Sequence, residues 1–305
     1  MRRKNLFFVG GLFAGFLGAY LYSHRKDSTV ALAKLHSRNP LRFVHGYIYF
    51  KWPNSYLRII KKVLENPATV PKPVYEACGN YLLETHHSKV IPLSEARRLI
   101  TIKEDVSLTN LEQVIPFERA RDIVLQNPQH IAVADCLCRR IQDKPCYPLD
   151  VCIFVGEPFA GFMVQHQPEH ARWISQDEAV SILEREHKRG RFHTAWFKDA
   201  AGDRFYSICN CCNCCCLGMK AFELFDKRII TSSGYSAQVD VDICEACGEC
   251  SKICPFKAVS LNDKAQVDQS SCMGCGLCVD KCEQNALSLC RDPSKPKPLD
   301  IANLI

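Results

Sequence analysis

Eight of the chain's 20 cysteines fall in two runs of identical spacing, and this repetition limits the possible folds more than any other feature. Cys244 to Cys254 reads C-E-A-C-G-E-C-S-K-I-C, and Cys272 to Cys282 reads C-M-G-C-G-L-C-V-D-K-C. The repeat extends outward at a constant offset of 28 positions. Ala237-Gln238-Val239-Asp240 returns letter for letter as Ala265-Gln266-Val267-Asp268. Ala258 corresponds to Ala286, and Ser260-Leu261 to Ser288-Leu289. An internal duplication of this kind predicts a pseudo-two-fold fold. The spacing has a physical reason. Thiolates at i, i+3 and i+6 let one loop wrap three corners of a metal–sulfide cube, with backbone N–H groups turned toward the sulfurs. Gly248 and Gly276 supply the positive φ that such a loop needs. Pro255 is expected to end the first loop and lead into a short helix. A lone C-x-x-C is weak evidence, but eight cysteines in a duplicated pattern are strong evidence and leave little room for zinc in this segment.

On these residues, 236–291 resembles the bacterial-type ferredoxin domain that holds two [4Fe–4S] clusters. The resemblance implies a compact pseudo-symmetric arrangement of β-hairpins and helices, and low-potential single-electron transfer. In that pattern each fourth cysteine serves the other cluster. Cluster one would then be held by Cys244, Cys247, Cys250 and Cys282, and cluster two by Cys272, Cys275, Cys278 and Cys254. Glu283 stands where the family commonly has proline, a departure that bears on the rigidity of the neighbouring loop.

Ten further cysteines lie between Cys136 and Cys216. They include C-L-C-R from Cys136, P-L-D-V-C from Pro148 to Cys152, and six cysteines in the eight positions from Cys209 to Cys216. Roughly 110–220 is similar to uncharacterised iron–sulfur proteins of anaerobes that carry such a region before a dicluster domain. That resemblance implies no assigned reaction. Adjacent thiols have no packing reason to crowd, so a further metal site is expected, drawn from Cys136, Cys138, Cys209, Cys211 and Cys212. Four thiolates suit an iron–sulfur cluster or zinc; the neighbouring duplicated loops favour iron–sulfur over zinc, and a redox thiol relay is a third reading. If the cysteine-rich run is helical, Cys211, Cys214 and Cys215 share a face. Cys78 and Cys290 stand apart and are expected to be small buried hydrophobes. The scattered histidines (His86, His87, His166, His170, His187 and His193) are expected to be surface or packing residues, not ligands.

Composition sets the remaining bounds. At 47% hydrophobic and 24% charged the chain is not disordered, and its length and clustered thiols do not suit a secreted disulfide scaffold. The net charge is +6, but 236–291 alone carries −3, so the rest is strongly basic. No nucleic-acid-binding motif accompanies that charge. A body near an anionic lipid surface fits it better. Leu6 to Tyr22 is an uncharged, mostly apolar run between Arg2-Arg3-Lys4 and His24-Arg25-Lys26, long enough as a helix to reach across a thin bilayer. Ala19 to Ser23 offers no A-x-A cleavage pattern, and Asn5 sits where a twin-arginine signal has a large apolar residue. The expectation is an uncleaved single-pass anchor in the cell membrane, with the body on the cytoplasmic side by the bias of flanking Lys and Arg.

Beyond the span, the aromatic and basic stretch Arg42 to Trp52 and the helical pattern that follows, with Leu57, Ile60 and Leu64 on one face, suit either the headgroup level or packing on a core. Farther on, two segments echo each other from Val90 and from Val114. Each is predicted to open a short helix at its proline, the second running to about Asn127-Pro128. Ile131 to Ala134 and Ile153 to Val155 read as strands, and Ser175 caps a helix that Gly190 stops. The predicted fold class is α+β: a membrane helix in 1–25, a juxtamembrane segment in 26–73, a Cys-rich α+β domain in 74–235, a ferredoxin domain in 236–291 and a tail in 292–305. With no G-x-G-x-x-G, P-loop or C-x-x-C-H motif, no nucleotide cofactor or attached haem is expected. The sequence reads as a membrane-tethered electron carrier or electron-transfer subunit with redox protein partners. An oxidoreductase working at the middle domain is the alternative.

Overall fold

Among the described residues, prolines open three of the first four helices, as their fixed φ favours. Helix α1 is Asp27–Leu35, α2 Pro40–Lys51, α3 Pro53–Glu65 and α4 Lys72–Thr85. The computed structural model describes residues 26–66, 68, 70–224 and 229–300. Tyr47, Tyr49 and Phe50 of α2 are buried, as are Leu57 and Leu64 of α3. The aromatic, basic stretch therefore packs on the core of the body. Among the described residues no helix is long and apolar enough to cross a membrane, and the expected span at 6–22 lies outside them.

The middle of the chain builds one mixed sheet. Its elements are β1 (His86–Ile91), α5 (Leu93–Ile100), β2 (Val106–Leu108), β3 (Ile123–Asp135), α6 (Leu137–Arg140), β4 (Asp150–Glu157), α7 (Phe159–His166), β5 (Ala171–Ile174), α8 (Gln176–Lys188), β6 (Phe192–Lys198), β7 (Arg204–Cys211), α9 (Leu217–Leu224) and β8 (Ile230–Thr231). The strand order is β2-β3-β4-β7-β6-β1-β8, with β5 also on β3, and every pairing but β1 with β8 is antiparallel. The two-residue period of β3 and β4 divides their side chains between two cores. Ile131, Val133, Ile153 and Val155 face α5 and α8. Ala132, Ala134, Cys152 and Phe154 face the aromatic side chains of α2 and α7. Helices on both faces explain why these strands read as continuous apolar runs. As expected, Ser175 caps α8, accepting from Glu178 N at 3.1 Å, and Gly190 closes its end with φ +76°.

Some expectations need correction. No helix follows Pro116. Residues 117–120 are a bend, and β3 already begins at Ile123, because Ile123, Val124 and Leu125 find partners across β2. The condition considered for the cysteine-rich run, a helix, does not hold: strand β7 ends at Cys211, a turn covers 213–215, and α9 starts at Leu217. Finally, Cys78 is exposed and Cys290 only half-buried.

The C-terminal part pairs β9 (Tyr235–Val239) with β12 (Leu287–Arg291), and β10 (Val259–Leu261) with β11 (Ala265–Val267). Helices α10 (Glu249–Ile253) and α11 (Leu277–Asp280) lie between the hairpins in the chain. The short helix precedes Pro255 instead of following it: the residue before a proline favours extended backbone, and Cys254 with ψ +111° ends the helix there. Of the histidines, His87 and His193 are wholly buried, and His187 and His166 nearly so, in keeping with packing roles.

His87 yields a pH prediction. It is hydrogen-bonded to Ala120 O at 2.8 Å and stacked on Phe117 at 3.7 Å, and burial holds its pKa down to about 3. The folded state refuses a proton that the unfolded chain accepts below about pH 6.5, so this stability is present above that pH and is lost as pH falls. Denaturant unfolding of the full chain should show wild type losing about 1.4 kcal/mol more than His87→Gln for each pH unit below 6. Equal slopes for the two proteins would contradict the assignment.

Candidate metal centres

The duplication in sequence is a duplication in space. Val259 pairs with Val267 and Leu261 with Ala265; 28 residues on, Leu287 pairs with Val239 and Leu289 with Ala237. The unusual backbone angles follow the same offset. Gly248 and Gly276 have φ +78° and +86°, Ala246 and Gly274 +55° and +65°, and Lys257 and Asn285 both +54°. These left-handed residues bend each loop so that its amides face inward. Ala258 N donates to Cys254 Sγ and Ala286 N to Cys282 Sγ, both at 3.3 Å, and Ala237 N donates to Cys272 Sγ at 3.4 Å. Amides of Ala265 and Ala246 do the same for Cys244 and hold its thiol below the usual range.

The two thiol sets are interleaved. Cys244, Cys247, Cys250 and Cys282 line one cavity, walled by Leu261, Ala265, Ala286 and Leu287. In the other half, Cys275 and Cys278 are faced by Cys254 and Cys272. Burial pushes the Cys275 thiol well up and Cys278 to about 12, whereas Cys247 is exposed. These thiols, with amides aimed at the sulfurs and apolar walls, fit thiolate-bound iron–sulfur clusters. A Cβ at Gly248 would meet Leu261 Cδ2 at 3.2 Å, and one at Gly276 would meet Leu289 Cδ1 at 3.4 Å.

The comparisons bear on this part of the molecule. Residues 236–283 match the family model of the 4Fe-4S dicluster domain. No curated protein matches the chain.

The dicluster domain docks on the middle domain around its second thiol set. Met273, Cys275 and Leu277 share an apolar cluster with Cys211, Cys216, Met219 and Phe222. Phe256 meets Phe192 edge-on at 4.9 Å. Asn213 Nδ2 donates to Pro255 O at 3.0 Å, next to Cys254. A hydrogen-bonded line runs from Asp280 to His187 (2.6 Å), on to His193 (3.1 Å) and to the Asn210 side chain (2.7 Å). Burial lowers the pKa of His187, with Asp280 opposing, and takes His193 to about 3. Gly274 is pressed so closely on Ser233 and Tyr235 that a Cβ would lie 2.3 Å from Tyr235 O.

The middle domain sorts its ten cysteines into two groups. An inner six, Cys136, Cys138, Cys152, Cys209, Cys211 and Cys216, line an apolar cavity of about 80 Å³ together with Tyr49, Tyr56, His86, Trp196 and Tyr206. Cys152 Sγ lies 3.5 Å from Cys209 Sγ, and Cys211 Sγ 3.6 Å from Cys216 Sγ. Cys138 is in hydrogen-bond contact with both Cys136 and Cys216. Neighbouring thiols and burial push Cys138 and Cys209 well up. An outer four, Cys146, Cys212, Cys214 and Cys215, bring all their sulfurs within 4.8 Å of one another. Of the five residues singled out from sequence, Cys136, Cys138, Cys209 and Cys211 belong to the inner group. Cys212 borders the cavity but groups with the outer four. Sequence reasoning missed Cys146, Cys152, Cys214, Cys215 and Cys216 as site residues. A strand reading of 204–211 would have put Cys209 and Cys211 on one face and left Cys212 to Cys215 to the turn. Between the groups, fully buried Arg139 donates to Glu186 Oε2 at 3.0 Å and to Asn210 O at 3.1 Å.

The loop geometry predicts a substitution effect. Gly276→Ala should cost about 1–2 kcal/mol from its left-handed backbone, and Gly276→Asn less, since asparagine tolerates that region. Thermal unfolding of the anaerobic protein should rank the three as Gly, Asn, Ala in falling stability.

Proposed function

We propose that the chain is an iron–sulfur electron-transfer protein held at a membrane by residues 6–22, with its body on the cytoplasmic side. In this reading Cys244, Cys247, Cys250 and Cys282 hold one [4Fe–4S] cluster, Cys272, Cys275, Cys278 and Cys254 hold the second, and the middle domain supplies a further thiolate site. When bound, such clusters supply single-electron transfer. The residues give the two sets different tasks. Cys247 lies at the surface, where a redox partner protein can approach, and the −3 segment around it would steer a basic partner in a salt-dependent way.

The carrying observation is the other set's position: Cys275 is buried in the same apolar cluster as Cys211 and Cys216. Apolar packing there excludes water between the second set and the inner thiols. Phe256 and the Asn213 bond to Pro255 hold the two domains in that contact. A second reading, an oxidoreductase, is favoured by one observation: the inner thiols border an apolar cavity with three tyrosines, His86 and Trp196, which would hold a small substrate. Steady turnover of a small molecule by the isolated chain would select that reading.

Anaerobically purified full chain should contain about eight irons from the dicluster segment alone, and about twelve if the inner thiols hold one more cubane. Cys254→Ala should remove the paramagnetic signal of the second cluster on reduction and leave the first. Loss of the first signal alone would refute the crossed ligation. Separately, full-length protein should sediment with membranes through salt washing, and a chain lacking residues 1–25 should not. If both remain in the supernatant, the tether is wrong.

A further inference from the structure

The outer four cysteines do not resemble a cluster cradle. Cys146 Sγ lies 3.5 Å from Cys212 Sγ, Cys214 Sγ lies 3.5 Å from Cys215 Sγ, and all four sulfurs are within 4.8 Å of one another. A tetrahedron of thiolates around one ion, with bonds of about 2.3 Å, has edges of about 3.8 Å. A cubane places four irons and four sulfides between its thiolates and needs a wider frame. Among the described residues neither set of the dicluster domain closes to that separation. The chain thus carries its own contrast between an open thiol set and a closed one.

The local sequence points the same way. The dicluster loops space three thiols at i, i+3 and i+6, which lets backbone pass around a large group. Here Cys212, Cys214 and Cys215 stand at i, i+2 and i+3 in a single turn, which can only converge on a point. The fourth thiol comes from the loop between α6 and β4, 66 residues away in sequence.

Charge agrees as well. A divalent ion with four thiolates carries −2 overall. Two guanidinium groups lie near the site: Arg139, between Cys136 of the inner group and Cys146 and Cys212 of the outer, and Arg191 beside Cys214. Each has a buried Nε with no hydrogen-bond partner among the protein atoms, and Arg139 is fully buried. Unpartnered buried donors are costly, and thiolate sulfur would accept from them.

We propose that Cys146, Cys212, Cys214 and Cys215 bind one zinc ion in a closed tetrahedral site, separate from the iron–sulfur clusters. Zinc is the choice because a closed all-thiolate site is its structural form and it has no redox chemistry. The ion would stay fixed while neighbouring groups change oxidation state. It staples the loop carrying Cys146 to the turn after β7, and so fixes the outer wall of the inner cavity and the Asn213 side chain that reaches Pro255. Binding releases the thiol protons, so affinity rises with pH.

The proposal stands independently of the electron-transfer reading, and elemental analysis separates them. Anaerobically purified full chain should contain about one zinc per chain in addition to its iron. Zinc X-ray absorption should give sulfur-only coordination at about 2.3 Å. Cys146→Ser and Cys214→Ser should each lose the zinc and keep the iron. Absence of zinc, zinc with nitrogen or oxygen ligands, one mononuclear iron in its place, or loss of about four irons in these variants would overturn the proposal. If the variants do not fold, the absorption measurement on wild type decides alone. Zinc present without iron would leave this inference standing and refute the electron-transfer reading.

Discussion

Strand β7 and the turn that ends it are the constraint on which the rest of the molecule depends. A strand turns successive side chains to opposite faces, so Cys209 and Cys211 share the face that borders the apolar cavity. The Asn210 side chain reaches His193 and Val151 O instead. The strand stops at Cys211, and the turn directs the next thiols away from the cavity. The eight residues from Cys209 to Cys216 thereby serve two sites of different character. Had the run stayed helical, its thiols would have spread around an axis and joined neither group cleanly.

The docking of the dicluster domain follows from this arrangement. The face around its second thiol set is pressed on β7, β6 and α9 by Cys275, Leu277, Phe256 and Met273, while Gly274 lets the second loop close on Ser233 and Tyr235 at the start of β9. Two sets equivalent in sequence therefore differ in environment: one is exposed at Cys247, whereas its counterpart Cys275 is buried and backed by further thiols. Burial and amide hydrogen bonds to sulfur are the levers by which a protein tunes such sites, and here the fold applies them unequally to a symmetric pair.

Charge burial in the middle domain is costly and is met by pairing. Arg139 and Glu186 are both fully buried and joined at 3.0 Å. Lys89 gives its ammonium to Val114 O and Ser232 O, and burial lowers its pKa to about 7. Such groups cost stability unless satisfied, and each ties sheet to loop where the thiol sites need a fixed frame.

The sequence by itself determined the dicluster segment, because everything needed there is local. Eleven residues set each thiol loop, Gly248 and Gly276 mark the left-handed turns, and the offset of 28 reveals the pseudo-symmetry before any contact is known. It also gave the strands at Ile131 and Ile153 and the capped helix after Ser175, whose patterns are periodic and bounded by clear stops. It misread the stretch after Pro116, where a proline and an apolar run look like a helix start but β2 and β4 claim the chain as strand. It misread Cys78, whose exposure depends on how α4 sits. Above all, the division of ten cysteines into six and four was decided by tertiary structure alone. The partners of Cys212 and Cys209 include thiols 66 and 57 residues away, and local spacing carries no information about contacts that only a folded sheet creates.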